Sequence, residues 1–133
     1  MATTTISQAE LARVSGDAYE AKSYRISLGY NNTAGLTAES TTAEWDAVKL
    51  SGNGYADVTG TIGSGSYNAT TQRYEMPQLE ATFTASGGSL VYDTVYVVID
   101  SNTGVHSISV ESPAITLADG SSVLYRITLA ADD

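Results

Sequence analysis

The sequence predicts an all-β protein: an antiparallel, jelly-roll-like β-sandwich of seven to eight strands with a short N-terminal helix. Three observations lead there. Apolar residues recur at every second position in several separate segments, the pattern of a strand with one covered and one wet face. Turn signals divide those segments, at Asn31-Asn32, Gly52-Asn53-Gly54, Gly63-Ser64-Gly65, Gly87-Gly88 and Asp119-Gly120. The composition agrees, because 9 Tyr beside 1 Trp and 1 Phe, with 12 Gly and only 2 Pro, suits pleated surfaces joined by turns.

A length of 133 residues allows one compact domain with its own core, and 42% hydrophobic residues exclude a disordered tail. No apolar run approaches the roughly 18 to 20 residues of a membrane helix, so a soluble protein is expected, and with no cationic, apolar leader at its start nothing argues for secretion by a cleaved signal peptide. The expected organisation is an N-terminal arm and short helix over residues 1–16 and a β-sandwich domain over residues 17–133.

Residues 7–10, Ser7-Gln8-Ala9-Glu10, fit a capping box that starts the helix, and Gly16 ends it. About ten residues make only a marginal helix, so Leu11 and Val14 need a surface to cover. From Ser23 the period becomes two: Tyr24, Ile26, Leu28 and Tyr30 are expected inside, with Ser23, Arg25, Ser27 and Gly29 outside. Residues 31–47 are the least regular. There Thr41 and Thr42 before Ala43-Glu44-Trp45-Asp46 start a helical turn that drops the one Trp into the end of the core.

Weaker strands follow near residues 55–62 and 73–76. Leu79, Ala81, Phe83 and Ala85 then alternate with Glu80, Thr82 and Thr84. Residues 94–99 are apolar on both faces after Thr94, which places them in the middle of a sheet. A partner strand at 106–110 lies beyond the turn 100–104, a weaker strand covers 115–117, and Val123, Tyr125, Ile127 and Leu129 close the series on an inward face.

Six Lys and Arg against fifteen Asp and Glu give a net charge of −9, spread along the chain. Such a surface repels phosphate backbones and anionic lipids, so neither nucleic acid nor membrane is an expected partner. The absence of Cys removes disulfides, thiolate catalysis and sulfur-based zinc sites.

No catalytic residue, cofactor or metal is assigned. His106, the lone histidine, shares a strand face with Ile108 and Val110, and no serine sits in a nucleophile elbow. Glu44 with Asp46, and Glu75 with Glu80, are the local carboxylate pairs, but alternation reads them as solvated positions. Asp100-Ser101-Asn102-Thr103-Gly104 alternates oxygen ligands as calcium loops do, without the closing acid, and reads as a hairpin turn. The Gly-rich stretches 52–54 and 60–65 lack the following helix that a phosphate loop requires. Asn31-Asn32-Thr33 and Asn68-Ala69-Thr70 are formal glycosylation sequons, without a leader to give them meaning. Tyr24, Tyr30 and Tyr125 are read as core, while Tyr19, Tyr67, Tyr92 and Tyr96 leave a carbohydrate-binding role open.

The order of features carries a resemblance. A short N-terminal helix is followed by the strand Tyr24-Arg25-Ile26-Ser27-Leu28 and the segment Trp45-Asp46-Ala47-Val48-Lys49-Leu50-Ser51-Gly52-Asn53-Gly54-Tyr55-Ala56. Then Ala81-Thr82-Phe83-Thr84-Ala85-Ser86-Gly87-Gly88 leads to Val95-Tyr96-Val97-Val98-Ile99-Asp100. This series resembles small virion structural proteins of tailed bacteriophages, the capsid decoration or cement proteins and short tail-fibre-like proteins built on β-sandwiches. The resemblance implies a non-enzymatic protein made in the host cytoplasm that binds and reinforces the outer shell of the virion. The major capsid protein or other virion proteins are the implied partners, and self-association is allowed. A tail or fibre component is the alternative within the virion, and a carbohydrate-binding module the alternative outside it. Contact with a neighbour is expected through Ala2, Thr3, Thr4, Thr5 and Ile6, an unanchored, β-prone arm.

Overall fold

The computed structural model describes residues 19–129; the expected arm and helix over residues 1–16 lie outside them. The chain is mostly β, with antiparallel pairing. Its elements are β1 (Ser23–Gly29), α1 (Thr42–Ala47), β2 (Val58–Thr61), β3 (Ser66–Asn68), β4 (Arg73–Glu75), β5 (Leu79–Thr84), β6 (Leu90–Ile99), β7 (Ser107–Leu117) and β8 (Ser122–Ile127). Among the described residues they form a four-stranded sheet in the order β2-β1-β6-β7 and the pairs β3-β4 and β5-β8.

The chain divides into two compact units. The larger comprises residues 23–60 and 81–125. At its centre is β6, whose residues 94–99 are buried throughout, as the doubly apolar pattern predicts. β1 pairs with β6 from Tyr24↔Ile99 to Gly29↔Thr94, and β7 pairs with it on the other side. Alternation places Leu90, Tyr92, Thr94, Tyr96 and Val98 on one face. Trp45 and Val48 pack over Tyr96 and Val98, while Leu90 joins Ala85, Leu117 and Val123. Aromatic rings continue that layer: Tyr55 stacks on Phe83 with centroids 5.9 Å apart, and Tyr125 meets both Phe83 and Tyr92 edge-on.

The helical turn forms as its sequence predicts. Thr41 Oγ1 accepts the Glu44 amide at 3.1 Å and the Glu44 carboxylate accepts the Thr41 amide at 3.0 Å, a complete capping box. Trp45 is fully buried, lies 5.5 Å from the Tyr96 ring and donates its indole N–H to the Thr37 carbonyl at 3.0 Å. The irregular loop before it is tied down locally. Asp93 accepts the amides of Asn31 and Asn32, and the Asn31 side chain both donates to and accepts from the Leu36 backbone.

The smaller unit comprises residues 61–80 with the described residues 19–22 and 126–129. Its hairpin β3-β4 sets Tyr67 opposite Tyr74, and Asn68 Oδ1 accepts the Thr70 and Thr71 amides in the turn. Tyr19, Ile62, Met76, Leu79 and Leu129 are its buried apolar residues.

Four expectations need correction. Ser27, read as wet, is fully buried, because Asp57 receives its hydroxyl at 2.8 Å and covers that side of β1. Gly29, also read as wet, is buried, with the Tyr96 ring and Val48 over the place its side chain would take. Tyr30, read as core, is 39% exposed, since β1 ends at Gly29 and the chain turns away. The segments 106–110 and 115–117 belong to one strand, β7, which carries three more residues than β6 between the pairs Thr94↔Val110 and Tyr92↔Ile115. The strand β3 is an addition to those expected, on the far side of the turn from β4.

Candidate functional site

The densest group of ionisable side chains lies on the face of β1 that the sequence marks as wet. Strand alternation aims Arg25 and Ser27 to that side, α1 brings Asp46, and the chain after it brings Lys49, Tyr55 and Asp57. Arg25 holds Asp46 with two bonds, Nη1 to Oδ1 at 2.9 Å and Nη2 to Oδ2 at 3.0 Å, the fork geometry of a bidentate pair. Tyr96 donates its hydroxyl to Asp46 Oδ1 at 2.7 Å, and the Arg25 guanidinium sits 5.7 Å from the Tyr96 ring centre.

Asp57 is the second hub. Its Oδ1 accepts from Ser27 Oγ at 2.8 Å and from the Tyr55 hydroxyl at 2.6 Å, while Oδ2 accepts from Lys49 Nζ at 2.9 Å. Arg25 Nη1 lies 3.8 Å from the same Oδ2, so the two hubs share one cation. Tyr55 in turn accepts the Leu28 amide at 2.9 Å, which satisfies an outward backbone group of β1.

Burial pushes both aspartates toward higher pKa, but the hydrogen bonds outweigh it. Donation from Arg25 and Tyr96 holds Asp46 below its ordinary value, and donation from Tyr55, Lys49 and Ser27 does the same for Asp57. The tyrosines move the other way, Tyr55 and Tyr96 both upward, from burial first and then from the carboxylate each one serves. Two saturated carboxylates and two phenols held protonated are poor general bases and poor nucleophiles at neutral pH. The arrangement acts as an electrostatic clamp that holds the segment 46–57 on the sheet.

The sequence-level candidates fall elsewhere. Glu44 serves the capping box while Asp46 serves the clamp; Glu75 accepts from Asn68 Nδ2 at 2.8 Å and Glu80 from Arg126 at 3.3 Å. His106 is exposed at the head of β7, its Nδ1 3.1 Å from the hydroxyl of its own neighbour Ser107. In the turn 100–104 the carbonyls of Asn102 and Thr103 accept from Thr42, so these oxygens anchor the start of α1. Among the described residues, no group of three or more His, Asp or Glu side chains is placed to hold a metal.

Tyr92 and Tyr96 are fully buried and Tyr19 nearly so, which withdraws them from the carbohydrate reading; Tyr67 is half-buried. Ala2, Thr3, Thr4, Thr5 and Ile6 lie outside the described residues. No helix among the described residues is long and apolar enough to cross a membrane.

Arg25, Lys49, Tyr55 and Asp57 were not singled out from the sequence. The one signal was an arginine beside a serine in a strand whose other face is apolar, and its partners stand 21 and 30 residues away. Comparison with known proteins finds no matching family model, no matching curated protein and no matching solved structure.

Proposed function

We propose that the chain is a structural binding protein of a phage virion, a capsid decoration protein that seats on the outer shell and reinforces it. The observation that supports this reading is the use made of the polar side chains. Asp46, Asp57, Glu44, Asp93 and Arg25 all serve the chain's own architecture, which is how a scaffold spends its charged groups. The net charge of −9 favours an outer position over one against the genome. On the same reading the strands form one eight-stranded sandwich, and many copies on one shell add modest contacts into a durable attachment.

The test is co-sedimentation of the purified protein with expanded capsids of a tailed phage. Saturation at a ratio set by shell symmetry is expected, and attachment should persist at physiological salt because phosphate contacts are not what holds it. Absence of binding to capsids and to every other virion part would overturn the reading. A tail or fibre role would appear instead as binding to tails alone.

A carbohydrate-binding module is the second reading, and Tyr30 favours it. That ring is 39% exposed and stands two residues from the exposed Asn32, an amphipathic plane near one amide group. A glycan array that loses its signal on Tyr30→Ala selects this reading; a blank array removes it.

A further inference from the structure

We propose that the open edge of β7 is a self-association surface, where β7 of a second copy adds antiparallel about a two-fold axis through Ser109. The sheet order ends at β7, so its far edge carries no strand among the described residues. This surface does not rest on the virion reading.

Backbone direction follows from bonds on the other side of the sheet. Asp100 N–H donates to the Ser23 carbonyl, whereas Leu28 sends its N–H to Tyr55 and receives Leu50 on its carbonyl, both outside the β1-β6 ladder. Odd positions of β1 therefore face β6, even positions of β6 face β1, and odd positions of β6 face β7. Val95 and Val97 pair with Ser109 and Ser107, so those serines turn their backbone groups inward. Ile108 and Val110 are left with N–H and C=O directed at the open edge.

Those four groups fix the register. With the axis at Ser109, Ile108 pairs with Val110 of the second copy and Val110 with its Ile108, closing four backbone hydrogen bonds. Moving the axis to Val110 calls on Ser112, where the three additional residues of β7 break the regular ladder. Moving it to Ile108 calls on His106, whose N–H is already given to the Val97 carbonyl. The Ser109 register also sets Ile108 and Val110 side by side across the join, covering a valine that is 65% exposed. Glu111 falls opposite Ser107, not opposite its own copy.

Charge favours a second copy as the occupant. Each chain carries −9, yet β7 has a single charged residue, Glu111, in eleven. Two such chains meet at this edge with one like charge on each strand, and a partner chosen for positive charge finds little there to hold it. Natural open edges are commonly guarded by lysine, proline or a bulge; β7 carries Pro113 and its additional residues in the second half, while residues 107–110 hold neither lysine nor proline.

Ser109→Cys tests the register, because the chain has no other thiol. In this register the two positions form a non-hydrogen-bonded pair about 4.5 Å apart at Cα, within disulfide reach. Under mild oxidation the variant should become covalent dimer about ten times faster than Ser107→Cys, whose counterpart is Glu111. Sedimentation of the unaltered protein should show a monomer-dimer equilibrium that tightens several-fold as salt screens the like charges. Val110→Pro removes one outward N–H from each copy and should leave a monomer whose melting temperature matches that of the unaltered protein at concentrations too low for it to dimerise. Equal cross-linking of the two cysteine variants, a chain that stays monomeric at every concentration, or a Val110→Pro protein that still dimerises would each overturn the proposal.

Discussion

β1 and β7 pair antiparallel with the same strand, over six and seven residue pairs, and differ in almost everything else. Ile26, Ser27 and Leu28 are fully buried, and the outer edge of β1 is closed twice. β2 lies along its first half, with the Tyr24 ring in the space a side chain at Gly60 would need. Along its second half the Leu50 amide and the Tyr55 hydroxyl bond to Leu28, and the Val48 carbonyl accepts from Tyr30. β7 has an exposed outer side, with Val110 the most exposed large apolar residue described. The difference teaches that burial in this sheet is set by what the following chain lays over a strand, since both strands lean on β6 alike.

The largest effect should come from the residue that anchors the covering segment. Trp45→Ala should destabilise the protein by about 3 to 5 kcal/mol in equilibrium denaturation, since it empties a fully buried site over Tyr96. A loss below about 1 kcal/mol would break the comparison, because the cover would then hold without its anchor. Asp57→Ala comes next, at about 2 to 3 kcal/mol, as it strands the donors of Ser27, Tyr55 and Lys49 in a partly exposed cluster. Asp57→Asn, which keeps the shape, should cost less in the same assay.

Acid should act on the β1 side through Asp46 and Asp57. Asp46 and Asp57 have folded-state pKa values below their unfolded ones, so their contribution is complete above the unfolded aspartate range and is lost as pH falls through the lowered values. Melting temperature should accordingly fall below about pH 4, and Asp57→Asn should flatten part of that slope. A slope unchanged by the substitution would assign the acid sensitivity to other carboxylates. The smallest effect belongs to β7: Val110→Thr should change monomer stability by under about 0.5 kcal/mol, and a larger loss would mean that this side chain is covered.

How far the sequence foretold this is decided by range. Trp45 and its helical turn were legible because Thr41 and Thr42 stand directly before it, though the Thr41–Glu44 capping box was not read, and β5 and β8 were legible because alternation is a local property. The middle place of residues 94–99 was legible because a run with no polar face needs cover on both sides. Ser27 and Arg25 misled, since a polar residue at an alternating position reads as wet unless its partner is known, and Asp57 is 30 residues from Ser27. Tyr30 misled for the opposite reason: its period was right and its strand had ended. β7 was read as two strands because Glu111, Ser112 and Pro113 interrupt the apolar pattern while the backbone continues.

The place of β6 in the order of synthesis bears on how the chain survives its own folding. Val95-Tyr96-Val97-Val98-Ile99 is an uncharged, β-prone, proline-free run of the kind that aggregates when left unpaired. Its hairpin partner β7 emerges after it, whereas β1 has been made long before. A ribosome therefore releases this run into the company of a ready complementary strand, and the distant β1-β6 pairing, slow to close in an isolated refolding chain, is favoured when translation proceeds from the N-terminus. A circular permutant that begins at the turn 100–104, placing β7 before β1 and leaving β6 to emerge last, separates speed of pairing from order of arrival. It should match the natural chain in stability and differ from it in the fraction that reaches the folded state during synthesis.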